Sequence, residues 1–294
     1  MLDFKPLEKA KIKEYSGFYR VDCEIGCEAN FVSAYLWNEE YKIKTAIFDG
    51  TLIKAYYRDD GRLWGYCFPR GKNVGGAIEA IFEDARENGR KPYFGYLSAW
   101  ERAELERLCP GKYTFEPSPS TQDYIYLTEN LAKLSGKKYH AKRNHISKFY
   151  RTYTDARVEP ITPSNTGDAM SVVDLWCREN GLNPDEHPER AVIKEALENL
   201  EFFELRGMIL YAGQKPAAMT LGSEISKLCF DVNFEKALED FEGSYSVINN
   251  EFAKTLTEYK YLNREEDMGL EGLKKSKLSY HPEIIYKRFY GIPK

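Results

Sequence analysis

"GMILYAGQKPAAMTLGSEISKLCFDVNF", residues 207 to 234, decides the fold. Two apolar runs flank Gly213-Gln214, a pair suited to a tight turn, and a third run, "SKLCFDVNF", follows at once. The pattern predicts three antiparallel strands. Next, "SYSVINNEFAKTLTEY" carries Tyr245, Ile248, Phe252, Leu256 and Tyr259 on one stripe, which predicts an amphipathic helix. "YLNRE" reads as a strand, "LEGLKKSKL" as a short helix and "EIIYKRFYG" as a final strand.

The first half runs in the same order. "KTAIFDGTLIKAYY" turns at Asp49-Gly50 between runs rich in β-formers, and "YRDDGRLWGYCFP" turns again at Asp60-Gly61. "GGAIEAIFEDARENG" places Ile78, Ile81, Phe82 and Ala85 at helical spacing, with Gly89 as a stop. "KPYFGYLS" reads as a strand, "AWERAELERLC" as a helix and "KYTFEPSPSTQDYIYLT" as an interrupted extended stretch. Both halves are therefore meander, helix, strand, helix, strand, with little residue identity between them. That order resembles the fold of GCN5-related N-acetyltransferases, and "DAMSVVDLWCRENG" supplies the helix expected before the second meander. The fold class expected is α/β (α+β): two tandem acyl-CoA N-acyltransferase-like units with mixed sheets flanked by helices. The boundary is expected near Gly136, giving domains 1–135 and 136–294, the second including a basic linking helix.

Composition narrows the function classes. At 43% hydrophobic and 14% aromatic residues the chain is a folded globular protein, and a net charge of −4 argues against a general nucleic-acid binder while leaving room for a local basic patch. No run of some 18 apolar residues exists, so no transmembrane segment is expected. The N-terminus is charged throughout, unlike a secretory signal, so a cytoplasmic protein with reduced cysteines is expected. Only Cys23 and Cys27 lie close together and no second pair completes a zinc set, so no metal is expected.

"GKKYHAKRNHISKFYR", residues 136 to 151, concentrates six Lys or Arg residues without a carboxylate. On a helix, Tyr139, Ile146, Tyr150 and Tyr153 share one arc that should face protein. Lys137, Lys138, Lys142 and Lys148 are the candidate nucleic-acid contacts, and a plain solvated face is the competing reading. Arg143 projects near the apolar arc, so it should seek a carboxylate or a phosphate. His140 and His145, five residues apart, point away from each other and do not form a metal pair.

Acyl-coenzyme A would need backbone N–H groups at a helix start. Lys72-x-x-Gly75, with Gly76, stands between a strand and a helix and is the candidate cofactor cradle; an ordinary strand–helix turn has the same look. In the second half, Glu239, Asp240 and Glu242 crowd the equivalent position and would repel a pyrophosphate. There is no Walker-type loop, Gly-x-Ser-x-Gly elbow or His-Glu-x-x-His motif.

Three stretches, "YIYLTENLAKLSGKKYHAKRNHISKF", "SVINNEFAKTL" and "YLNREEDMGLEGLKKSKLSYHPE", together resemble the phosphatidylglycerol lysyltransferase C-terminal domain family, whose stand-alone members are largely uncharacterised. The resemblance implies transfer of an aminoacyl group from charged tRNA to a lipid or soluble acceptor, small molecule or peptide. An aminoacyl ester is already activated, so the chemistry asks for positioning, a base and donors for the developing oxyanion. Asp267 and Glu251 are the candidate catalytic residues, as base or amine anchor. Arg143, Asp231, Asn233, Tyr245, Asn249, Arg264, Glu265, Lys277 and Tyr280 are the candidate substrate contacts. An acyl-coenzyme A-dependent N-acyltransferase and a non-catalytic RNA- or ligand-binding module on the same fold are the alternatives.

Overall fold

The computed structural model describes residues 2–19 and 22–294. The chain forms two compact units: residues 1–123, 266–274 and 285–294, and residues 124–265 and 275–284.

The first unit is built on an eight-stranded sheet. Its strands are β1 (Lys5–Pro6), β2 (Ile43–Phe48), β3 (Thr51–Tyr57), β4 (Leu63–Tyr66), β5 (Arg70–Gly71), β6 (Phe94–Ser98) and β7 (Tyr113–Pro117). Asp49 and Gly50, at φ of 43° and 68°, join β2 to β3, and Phe48 pairs with Thr51 across them. Two successive left-handed residues match the twist of the strands they join, which is why Asp-Gly serves here. The helix Val74–Glu87 starts where Asn73 accepts the Gly76 N–H and ends before Gly89, at φ of 64°. It lays Ala77, Ile78 and Ile81 on Ile53, Ala55, Phe94 and Leu97 of the sheet. The helix Ala99–Leu108 opens on a capping box between Ser98 and Glu101, which satisfies two backbone donors at once.

The second unit is built on a seven-stranded sheet. Its strands are β8 (Asp123–Leu127), β9 (Arg157–Pro160), β10 (Arg206–Ala212), β11 (Lys215–Ser226), β12 (Cys229–Ala237), β13 (Tyr261–Asn263) and β14 (Ile284–Tyr286). The three antiparallel strands read from residues 207–234 are β10, β11 and β12, turning at Gly213. The helix Ser244–Lys254 buries Val247, Ile248 and Phe252, each contributing on the order of 2 kcal/mol of apolar transfer. Tyr245, expected on the same stripe, is instead 43% exposed. The basic stretch forms a 3-10 turn, Lys137–Tyr139, and then the helix His140–Thr152, with Phe149 fully buried as its anchor.

The last strand, β15 (Arg288–Pro293), returns to the first sheet, which is ordered β1-β2-β3-β4-β6-β15-β7, with β5 on β3. The second sheet is ordered β14-β8-β13-β12-β11-β10-β9. Each half of the sequence thus lends a strand to the other half's sheet: β15 sits between β6 and β7, and β8 between β13 and β14. The division therefore differs from the expected one near Gly136: it falls at Asp123/Tyr124, and the C-terminal part belongs to both units. Turn chemistry is local and legible, whereas the sheet a strand joins is decided by pairing partners far away in the chain. The fold class is the expected one, two mixed sheets flanked by helices. No helix among the described residues is long and apolar enough to cross a membrane.

Candidate active site

In the second unit β12 and β13 run parallel, but they pair only at Cys229–Tyr261, Phe230–Leu262 and Asp231–Asn263. Past this point each strand carries polar side chains. Asp231, Asn233 and Glu235 alternate on β12 and share a face, because side chains repeat every second residue on a strand. Gly222 of β11 makes the local approach possible: a Cβ there would lie 2.1 Å from the Asp231 carbonyl oxygen.

Glu235 is the centre of the cluster. Its Oε1 accepts from Arg264 Nη2 at 2.7 Å and its Oε2 from Asn249 Nδ2 at 3.2 Å. Both side chains of the ion pair are nearly sealed, at 11% and 9% exposure. The Arg264 guanidinium lies 4.9 Å from the Tyr280 ring centre and 5.7 Å from that of Tyr126. Tyr280 Oη donates to Ser246 Oγ at 3.5 Å. On the other side of this group, Lys142 Nζ stands 3.7 Å from the Tyr280 ring centre. Burial pulls the Lys142 amine down to about 8, with the Arg264 charge adding to the shift and Glu235 opposing it.

Arg264 Nη1, a donor, and Asn249 Oδ1, an acceptor, are both buried and unbonded. The Asn249 amide is oriented by its bond to Glu235, since a carboxylate accepts and the Nδ2 must donate. Leaving each atom dry costs about 1–3 kcal/mol, so the pair fits a ligand that offers an acceptor to one and a donor to the other.

A second layer holds this arrangement in place. Asn233 Nδ2 donates to Asp231 Oδ2 at 3.2 Å and to Glu265 Oε1 at 3.1 Å, and its Oδ1 accepts from Ser223 Oγ at 2.8 Å. Lys277, only 7% exposed, donates to the carbonyls of Arg264 and Glu265 and so fixes the segment that carries the guanidinium. Tyr126 Oη donates to the Lys277 carbonyl at 2.8 Å.

Of the residues expected from sequence, Asn249, Arg264, Tyr280 and Lys142 meet here, with Asp231, Asn233, Glu265 and Lys277 behind them. Others lie elsewhere. Asp267 belongs to the first unit, is buried, and accepts the Gly269 N–H at 2.8 Å as a turn cap. Glu251 pairs with Lys254 at 2.8 Å. Arg143 donates to the carbonyls of Leu134 and Gly136 at 2.5 and 2.8 Å, and no carboxylate pairs with it among the described residues. Lys137 and Lys138 are exposed, and Lys148 pairs with Glu242. In the first unit the Gly76 N–H near Lys72 and Gly75 donates to Asn73 Oδ1 at 2.9 Å, and Asn73 Nδ2 donates to Asp49 at 2.7 Å.

Sequence reasoning missed Glu235, Tyr126 and Ser246. Glu235 had a signal, since it continues the alternation of Asp231 and Asn233 by one step. Tyr126 had none, because its strand comes from the other half of the sequence.

Polar burial in the first unit takes another form. Lys54, 2% exposed, pairs with Glu28 at 2.7 Å, and Tyr56 donates to the same carboxylate at 2.9 Å. Arg288 pairs with Asp123 at 3.0 Å, with 3% and 0% exposure. Cys27, Asp123 and Glu266 bring ligand atoms within 4.8 Å of one another, but the Arg288 guanidinium already neutralises Asp123 there and would oppose a cation.

A tandem acyltransferase-like fold with a buried polar cluster in its second unit is the class that these observations define. The sequence matches the family described as phosphatidylglycerol lysyltransferase, C-terminal, over residues 24–291, and the chain belongs to that family. It is similar to a conserved protein of unknown function from Bacteroides thetaiotaomicron VPI-5482, with 34% identity, a TM-score of 0.93 and coverage of 100% of both chains. The structure of L-PGS from Bacillus licheniformis shares the fold, with 12% identity, a TM-score of 0.70, and coverage of 99% of this chain and 93% of that one. An uncharacterized protein of Mycoplasmoides gallisepticum is 26% identical over 202 residues, 66% of this chain and 63% of that protein, so the match spans less than two thirds of that relative.

Proposed function

We propose that this chain is an aminoacyltransferase that takes an activated aminoacyl group from charged tRNA and passes it to a lipid, peptide or small soluble acceptor. The observation that carries the reading is the orphan pair at Glu235. An α-aminoacyl ester offers what these atoms lack: its carbonyl oxygen accepts from Arg264 Nη1, and its α-ammonium donates to Asn249 Oδ1 beside the Glu235 carboxylate. As the carbonyl carbon becomes tetrahedral its oxygen gains charge, and a fixed, nearly dry guanidinium holds that charge better than water would. Family membership supports the reaction class. Exposed Lys137 and Lys138 suit contact with tRNA phosphates. The coenzyme A alternative is weakened by the occupied Gly76 N–H.

The test is binding of aminoacylated tRNA, uncharged tRNA and acetyl-coenzyme A side by side over a salt series. The expected result is a preference for charged tRNA with a steep salt slope, reduced in the Lys137→Glu, Lys138→Glu double variant. Asn249→Leu should cut the preference for charged over uncharged tRNA about tenfold, the cost of one charge-assisted bond. It should shift stability by less than about 1 kcal/mol, since it removes an unbonded acceptor along with a good bond. Equal binding of charged and uncharged tRNA by the wild type would refute the proposal.

A further inference from the structure

Lys142 belongs by sequence to the basic helix, yet it does not share the situation of its neighbours. Lys137 and Lys138 are exposed and Lys148 pairs with Glu242, whereas Lys142 is half-buried over the Tyr280 ring with no carboxylate in salt-bridge range among the described residues. The charged and titratable groups that face it are Arg264, Glu235 and Tyr280, from three separate segments of the chain. Glu235 is already committed to Arg264 and Asn249. An amine that is desolvated, near a guanidinium and without an anion of its own loses its proton more readily than a surface lysine.

We infer that Lys142 is the proton acceptor of the transfer, the group that activates an amine or hydroxyl acceptor at the Glu235–Arg264 cluster. This rests on the aminoacyltransferase reading and adds to it the identity of the base. Neutral Lys142 Nζ takes the proton from the acceptor as the acceptor's lone pair bonds to the ester carbonyl carbon. Arg264 Nη1 holds the resulting oxyanion. When the tetrahedral intermediate collapses, the bond to the ribose oxygen breaks and the Lys142 ammonium returns the proton to that oxygen. The amine ends neutral, and no other reactant is consumed. Of the two carboxylates singled out in the sequence, Glu251 is paired with Lys254 and Asp267 accepts the Gly269 N–H in a turn. In support, burial pulls the Lys142 amine down to about 8, so more of it is neutral near pH 7 than of an exposed lysine.

The experiment has two readouts on the full chain. The first is an NMR titration of the lysine Nζ resonances, with Lys142 assigned by its loss in Lys142→Arg. An inflection near 8 is expected for Lys142, against about 10.4 for exposed lysines; an ordinary lysine titration overturns the inference. The second is single-turnover loss of the ester from bulk aminoacylated tRNA, with water as the acceptor, as a function of pH. The wild-type rate should rise with pH through the Lys142 inflection and level off. Lys142→Arg keeps the positive charge but cannot give up its proton, so its rate should fall about 100-fold and lose that inflection, with charged-tRNA binding retained. If charged tRNA binds and Lys142→Arg turns over like the wild type, or if the wild type binds without accelerating ester loss, the inference fails while the binding reading stands. If the wild type does not bind charged tRNA, both fail.

Discussion

The two units bury charge in opposite ways. In the first, Lys54 is closed by Glu28 and Tyr56, and Arg288 by Asp123. Arg70 pairs with both Glu24 and Glu101 between the rings of Tyr19 and Trp100, leaving only its Nε unbonded. In the second, Glu235 is bonded on both oxygens, but each of its partners keeps a spare atom, and an amine without a carboxylate stands beside them. One fold, used twice, serves as a closed scaffold in one place and as an incomplete binding set in the other. The difference lies in how the buried charges are matched: Lys54, Arg70 and Arg288 each have a carboxylate, whereas Lys142 has none in salt-bridge range among the described residues, and fold alone does not determine it.

The largest expected effect comes from treating the halves as separable. Residues 1–135 and 136–294, produced as separate chains, should each lack cooperative unfolding by circular dichroism, because each is missing an interior strand of its sheet. A folded, cooperatively melting 136–294 fragment would show that β8 is dispensable. Next comes the closed cluster. Arg288→Met leaves Asp123 buried and charged without the guanidinium that neutralises it, and should cost about 3–5 kcal/mol in denaturant unfolding. A cost near zero would mean that the first unit is not held by its closed pairs.

The smallest effect is acid-dependent. Burial raises the Glu28 carboxyl, but Lys54 and Arg288 outweigh it and hold the group below its usual 4.5. A depressed folded value means stability that is present above the unfolded value and lost as pH falls through the folded one. The melting temperature should therefore drop as pH is lowered from 5 toward 3, and part of that drop should vanish in Glu28→Gln. An identical acid profile in the variant would assign the loss to other carboxylates.

The meanders, both hairpin turns and the main helices were legible because their signals are short-range: Asp49-Gly50, Gly213, Ile78 with Ile81. The strand exchange was not, since nothing in "KRFYG" says which sheet it will enter. For the site, Arg264, Asn249 and Tyr280 were legible as polar residues at element ends. Lys142 was read as one lysine among several, because helical spacing describes the face of a helix and not what another element brings against it. Arg143 was expected to need an acidic partner when two carbonyls of its own preceding turn were closer.

The placement of β15 between β6 and β7 also has a consequence for synthesis. A ribosome delivers β6 and β7 early, and neither can close on the other until the last strand emerges almost 200 residues later, as the numbering of Ser98 and Pro293 sets out. During that interval the first sheet presents two open edges at its interior, the kind of surface on which chains pair with the wrong partner. Loss of β15 by truncation would make that state permanent. Correct pairing in the first sheet is thus tied to β15 as much as to the apolar core.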